Sequence, residues 1–106
     1  MATIKSYTDI SQSKTLSEIL PLESADMHYE WPNKKVHFKD DEYSGMGFSC
    51  WSLAALLGVL PEYHLSSPNP LSSMYCCRVE DIETYADNLV DACVAMIIRL
   101  NELKML

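Results

Sequence analysis

The residues of this sequence that could do chemistry are its cysteines and histidines. It has four cysteines and three histidines in 106 residues. A thiolate is a strong nucleophile, and a histidine within hydrogen-bond distance can act as its base. Cys50 follows Ser49, a residue type that often begins a helix, and a thiol at a helix N-terminus has a lowered pKa. With His28, His37 or His64 as base, Cys50 could serve a small cysteine-dependent hydrolase.

Segment 47–52 resembles the nucleophile segment of papain-like proteases, in which a Cys-Trp pair opens a helix. The resemblance implies Cys50 as nucleophile and His64, the only histidine that follows it, as base. Much of that machinery is missing. Tyr43 and Ser44 stand where those proteases have a glutamine for the oxyanion, and no Asn-Trp pair follows His64. Those proteases are also about twice as long, and such local signatures do not transfer between families. We therefore favour an accidental match at a buried helix start and predict that the protein is not an enzyme.

A metal site is the second kind of chemistry to weigh. His28, Glu30 and His37 fall on one face of a predicted hairpin, and imidazole and carboxylate are common zinc ligands. On the outer face of a hairpin the same residues are usually solvated or salt-bridged, which is the interpretation we favour. The adjacent Cys76 and Cys77 lack the two-residue spacer of zinc sites. The three glycines form no phosphate-binding loop, so we predict no metal and no cofactor.

Four residues are candidate anchors for a protein partner: Trp31, Tyr75, Arg78 and Tyr85. Interface hot spots favour tryptophan, tyrosine and arginine. The alternative, which we prefer for most of them, is that they line the edge of the core.

The charge balance bears on the class of partner. The formal net charge is −7, from 15 acidic and 8 basic residues. Nucleic-acid backbones are bound through Lys and Arg, so a nucleic-acid-binding surface is disfavoured. The acidic residues could instead mimic nucleic acid, but they are dispersed, with the densest clusters at 40–42 and 80–83. A solubilising surface is the better interpretation.

Helical patterns occur in three places. Asp9 and Gln12 form a capping-box pair before a surface helix at about 10–20. A second helix, at about 50–60 after Ser49, is apolar all round, so we expect a core helix. Asp87 caps a third helix at about 88–104, whose apolar arc is wider than one sheet face usually covers. We therefore expect part of this arc to contact a second protomer.

Alternating apolar residues predict four strands, at about 26–31, 35–40, 73–79 and 82–86. The first two form a hairpin in which Trp31 pairs with Val36 and Tyr29 faces Phe38. The last two flank a weak turn signal at Glu80. The predicted fold is one α+β domain over residues 1–106, in the order α-β-β-α-β-β-α. A small, mostly antiparallel sheet of two hairpins packs against two helices, and the first helix lies on the surface.

The cysteines indicate a reducing compartment. We interpret all four as reduced packing residues, with Cys50 and Cys93 inside helical patterns and Cys76 and Cys77 on opposite faces of a strand. The start of the chain lacks an apolar signal segment, and the longest uncharged run is too short and too polar to span a membrane. We therefore expect a cytoplasmic protein without a membrane segment.

Three blocks carry a resemblance to a known family: 9–16 continuing to 24–27, then 50–57, then 86–93. They resemble an uncharacterised family of small proteins found in gut bacteria, their phages and mobile elements. A proline often stands in that family where this sequence has Leu89, which fits the first turn of a helix. The resemblance implies a shared fold and genomic context, and it implies no activity.

The favoured function is a non-catalytic interaction or accessory protein with an unknown protein partner, dimeric through the last helix. A cysteine-dependent hydrolase at Cys50 and an acidic mimic of nucleic acid remain the alternatives.

Overall fold

The computed structural model describes residues 5–30, 35–38, 47–66 and 74–106. Within these residues, three α-helices and six strands alternate along the chain. The helices are α1 (Ile10–Ile19), α2 (Leu53–Val59) and α3 (Leu89–Glu102), with a short 3₁₀ helix at Leu22–Ser24. The strands are β1 (Met27–Glu30), β2 (Val36–Phe38), β3 (Gly47–Cys50), β4 (His64–Ser66), β5 (Tyr75–Val79) and β6 (Ile82–Ala86). The predicted α+β class is confirmed, while β3 and β4 were not predicted.

The strands form two three-stranded antiparallel sheets rather than one sheet, in the orders β2-β1-β3 and β4-β5-β6. The predicted first hairpin is present, but Tyr29 pairs with Val36 and not with Phe38. The predicted pairing was therefore wrong by two residues. Because side chains alternate with a period of two, this shift leaves every residue of β1 on its predicted face.

The start of the second helix was predicted wrongly. Residues 47–50 are extended and pair with β1, so that Cys50 lies opposite Met27. The helix begins after Ser52, whose Oγ accepts a hydrogen bond from the Ala55 N–H at 3.2 Å. Asp26 holds this cap, since its carboxylate accepts bonds from both the backbone N–H and the hydroxyl of Ser52.

Helix α3 forms the centre of the larger core. Seven of its residues are buried: Val90, Ala92, Cys93, Val94, Met96, Ile97 and Leu100. They pack mainly against β5, β6, α2 and α1. The wide apolar arc is thus covered within the chain, so it gives no reason for a second protomer there. Asn88, rather than the predicted Asp87, caps the helix by accepting the Asp91 N–H at 2.8 Å.

A smaller core lies at the first sheet, where Met27, Tyr29 and Cys50 are buried together. Helix α1 begins with the predicted capping box, in which Asp9 and Gln12 exchange side-chain to backbone bonds. It buries Ser13 and Leu16, and Leu20 just beyond its end is also buried. No helix within the described residues is long and apolar enough to cross a membrane.

Candidate functional site

Cys50 is the first sequence-predicted site residue to place. It ends strand β3 with its side chain fully buried, so it does not open a helix as predicted. Its Sγ lies 3.4 Å from the carbonyl oxygen of Thr8 and 3.6 Å from Thr8 Oγ1. Burial raises the pKa of the Cys50 thiol, although hydrogen bonds act to lower it. A buried neutral thiol is a poor nucleophile.

The candidate bases are not placed to serve this thiol. His64 is exposed on β4, in the other sheet. His28 follows Met27 on β1, so its side chain points to the face opposite the one that Met27 and Cys50 share. His37 lies on β2, on the far side of β1 from β3. The two sheets thus separate Cys50 from His64, and strand alternation turns His28 away from it.

Thr8 is a polar group at the centre of this region that the sequence did not single out. It is fully buried. Its backbone N–H donates to the Trp51 carbonyl at 2.9 Å, and its Oγ1 accepts the Trp51 N–H at 3.1 Å. Its carbonyl accepts the Tyr29 hydroxyl at 2.6 Å, and its Oγ1 lies 2.8 Å from Ser13 Oγ. These bonds satisfy the buried polar groups around Cys50, so Thr8 has a structural role.

The predicted metal ligands His28, Glu30 and His37 do come together on one face of the first sheet. His28 and His37 are directly paired, with stacked rings whose centroids are 5.6 Å apart. His37 Nε2 lies 2.8 Å from Glu30 Oε2, as in a salt bridge. Within the described ranges, no three His, Cys, Asp or Glu side chains are grouped so that they could hold a metal ion.

The predicted anchors divide between two faces of the second sheet. Tyr75 lies on the face that packs against α3 and is half-buried. Arg78 and Tyr85 lie on the opposite face, where Tyr85 is 55% exposed. Trp31 is outside the described residues, as is the acidic cluster 40–42.

We call this solvent-facing side of the second sheet the outer face; it contains His64, Ser66, Cys76, Arg78, Glu83 and Tyr85. Strand pairing arranges them in two rows. One row is His64, Arg78 and Glu83, and the other is Ser66, Cys76 and Tyr85. All are exposed except Cys76, which is half-buried.

Charge on the outer face is only partly compensated. The Tyr85 hydroxyl donates to the Glu83 carboxylate, and this bond raises the pKa of Tyr85 to about 12. The described part of the chain offers Arg78 no salt bridge or side-chain hydrogen bond, although Glu83 lies directly across from it. An exposed guanidinium without a partner can bind a carboxylate bidentately at no cost to an existing bond.

A shallow cleft of about 300 Å³ opens beside the first sheet and is lined by Lys5, Ser6, Tyr7, Asp9 and Tyr29. Three of its polar side chains, those of Lys5, Asp9 and Tyr29, already have partners. Lys5 Nζ lies 2.8 Å from Asp91 Oδ1 and 3.2 Å from Asp9 Oδ2. The Tyr29 hydroxyl donates a hydrogen bond to the Thr8 carbonyl. Binding a polar ligand there would therefore break bonds that stabilise the fold.

Helix α2 is less buried than its sequence predicts. Leu56 is its only fully buried residue, while Ala54 and Gly58 are exposed on the opposite side. The helix does contribute to the larger core, but it is not buried all round as its apolar sequence predicts, since it packs against α3 and the 3₁₀ helix and leaves Ala54 and Gly58 exposed. Leu22, on the neighbouring 3₁₀ helix, is 53% exposed.

Comparison of the chain with protein-family models, with curated proteins and with solved structures gave no match.

Proposed function

We propose that this protein is a non-catalytic interaction or accessory protein that binds a protein partner through the outer face of its second sheet. The observation that carries the proposal is Arg78, an exposed guanidinium without an ion-pair partner in the described chain, on the central strand of that face. Tyr85 is 55% exposed on the same face, on the neighbouring strand β6 and diagonal to Arg78. Arginine and tyrosine are the residue types that dominate binding energy in interfaces.

The chemistry of the face indicates the chemistry of the partner. Arg78 favours a carboxylate or a backbone carbonyl, and the ring of Tyr85 favours an apolar contact beside it. Free cysteines and the resemblance to proteins of phages and mobile elements support a cytoplasmic accessory role.

The hydrolase alternative has less support, because it needs an accessible thiol next to an imidazole. Cys50 is fully buried, and its sulfur contacts Thr8. Mimicry of nucleic acid needs a continuous ridge of carboxylates. Glu83 instead lies beside the cation Arg78, which interrupts the negative charge at the 80–83 cluster.

Affinity capture from the protein's own cells, with matched variants, tests the proposal. The wild-type protein and Arg99→Ala should retain the same partner, since Arg99 is an exposed arginine on α3, away from the outer face. Arg78→Ala and Tyr85→Ala should each weaken binding of the purified partner about tenfold in calorimetry. If every captured protein binds all four forms equally, the outer face is not the interaction surface.

A further inference from the structure

Strand β6 lies at an edge of the second sheet. In the order β4-β5-β6, and among the residues that the structure describes, it is paired on one side only, with β5. It has five residues, whereas the other edge strands have three, three and four. A long edge strand presents a row of backbone groups that can pair with another strand.

The turn before β6 determines which backbone groups point outward. Val79 pairs with Ile82 across a two-residue turn, so these two residues must be hydrogen-bonded to each other. Bonding then alternates along the strand, and Ile82, Thr84 and Ala86 direct their backbone groups toward β5. Glu83 and Tyr85 direct theirs to the open edge, where no backbone group of the described residues meets them.

The core-facing side chains of β6 are less buried than those at the centre of β5. On β5, the core-facing Cys77 and Val79 are 0% and 2% exposed, and only Tyr75 of that face is half-buried. On β6, Ile82, Thr84 and Ala86 are all half-buried. The strand contains no proline, no lysine and no bulge, so Glu83 is its only charged protection against pairing.

We propose that β6 pairs antiparallel with β6 of a second copy of this chain, with the two-fold axis at Thr84. The two three-stranded sheets would join into one sheet of six strands. In this register Glu83 faces Tyr85 of the second copy and Ile82 faces its Ala86. The outward N–H and C=O groups of Glu83 and Tyr85 are then satisfied in both copies.

The number of paired residues, more than charge, selects this register from the neighbouring two-fold registers, since the register at Thr84 also brings Asp81 opposite Asp87 beyond each strand end. A two-fold axis (dyad) at Glu83 would place the two Glu83 carboxylates opposite each other. A dyad at Tyr85 would place Glu83 of one copy opposite Asp87 of the other. Each of these pairs three residues of the strand, whereas the dyad at Thr84 pairs all five. Like charges directly opposite are destabilising in a sheet.

The dimer has two further consequences. It joins the outer faces of the two copies, so a partner that binds Arg78 would meet a continuous surface. Beyond the strand ends, Asp81 of one copy approaches Asp87 of the other, so association strengthens as salt rises. The self-association itself uses β6 backbone groups and does not depend on Arg78 or on the proposed partner.

Sedimentation velocity over a range of protein concentrations tests the association, with proline as the probe. Glu83→Pro removes an outward N–H that the monomer does not use, so its circular dichroism should match the wild type. Its dimer dissociation constant should rise at least about tenfold, because each copy loses a hydrogen bond. Glu83→Ala keeps the N–H and should change the constant less than about threefold.

Cysteine cross-linking tests the register. The background is Cys76→Ser/Cys77→Ala, because Cys77 lies directly across from position 84 and could form a disulfide within the same copy. One cysteine at a time is added at position 83, 84 or 85 and oxidised under mild conditions, while Cys50 and Cys93 stay buried. Only Thr84→Cys should form a covalent dimer, because Cα atoms about 4.5 Å apart at a non-hydrogen-bonded pair suit a disulfide. A wild-type protein that stays monomeric at high concentration, or cross-linking at 83 or 85 instead, would overturn the proposal. Arg78→Ala should dimerise normally, so loss of partner binding and loss of the dimer are separable.

Discussion

At the scale of single residues, burial decides what the cysteines can do. Cys50, Cys77 and Cys93 are completely buried, and only Cys76 is partly accessible. Cys77 and Cys93 also lie next to each other, and the hydrogen bond between their thiols, with burial, raises the pKa of Cys93. Cys50 and Cys93 are therefore protected both by exclusion of reagent and by a raised pKa. The hydrogen bond with Cys93 lowers the pKa of Cys77, so burial alone protects that thiol.

This protection predicts a labelling order. In native protein treated with iodoacetamide, Cys76 should be alkylated first, and Cys50 should react only when the chain unfolds. Peptide mass spectrometry after timed quenching measures the order, and labelling in denaturant provides the control in which all four react. Rapid native labelling of Cys50 would restore the hydrolase interpretation.

At the scale of secondary-structure elements, the β5–β6 turn contains a conformational cost. Glu80 has a φ of 55°, in the left-handed region that disfavours residues with a Cβ. The pairing of β5 and β6 at five positions offsets this cost and holds Glu80 in the turn. The sequence showed only a weak turn signal here, because the favoured glycine or asparagine is missing.

The turn therefore offers a stabilising substitution. Glu80→Gly should raise the free energy of unfolding by about 0.5–1 kcal/mol, since glycine adopts positive φ without strain. Asp81→Gly is the matched control, because Asp81 lies in the same turn without a positive φ. Urea denaturation compares them, and an equal effect of both substitutions would contradict the explanation.

Local signals predicted some elements well and others poorly. The capping box of α1 and the strand 82–86 could be predicted from neighbouring residues alone, and both are present. The helix after Ser49 is present, but its predicted start was wrong because residues 47–50 gain hydrogen bonds to β1, some 20 positions earlier in the chain. Pairing at that distance leaves no local signature, so propensity could not anticipate it.

At the scale of the whole molecule, Lys5 and Asp91 join the two ends of the fold. Their side chains meet at 2.8 Å across 86 positions, and Gln12 Nε2 donates to the same carboxylate at 2.8 Å. Partial burial acts to raise the pKa of Asp91, but hydrogen bonds from Lys5, Gln12 and Asn88 outweigh it and lower the pKa. For Lys5, burial acts to lower the pKa, but the bonds to Asp91 and Asp9 raise it.

These shifts predict the pH dependence of stability. The folded-state pKa of Asp91 lies below its ordinary value of 3.8. The ionised carboxylate therefore stabilises the folded state fully above pH 3.8, and this stabilisation is lost as pH falls through the folded-state pKa. Asp91→Asn should therefore cost about 1 kcal/mol at neutral pH and progressively less in acid. Urea denaturation across pH measures this, with the exposed Asp87→Asn as control. A cost that does not shrink in acid would contradict it.

What the sequence determined alone was the α+β class and the elements whose hydrogen bonds close within a few residues. The sequence also predicted correctly which face of the sheet each β1 side chain lies on. The pairing was wrong by two residues, but side chains alternate with a period of two, so the faces are unchanged. Tertiary structure alone decided that Cys50 lies on a strand beneath Thr8, 42 positions away, and that the arc of α3 is filled by its own chain. Burial depends on which distant segments meet, and the free energy of those contacts is not encoded in any one stretch of sequence.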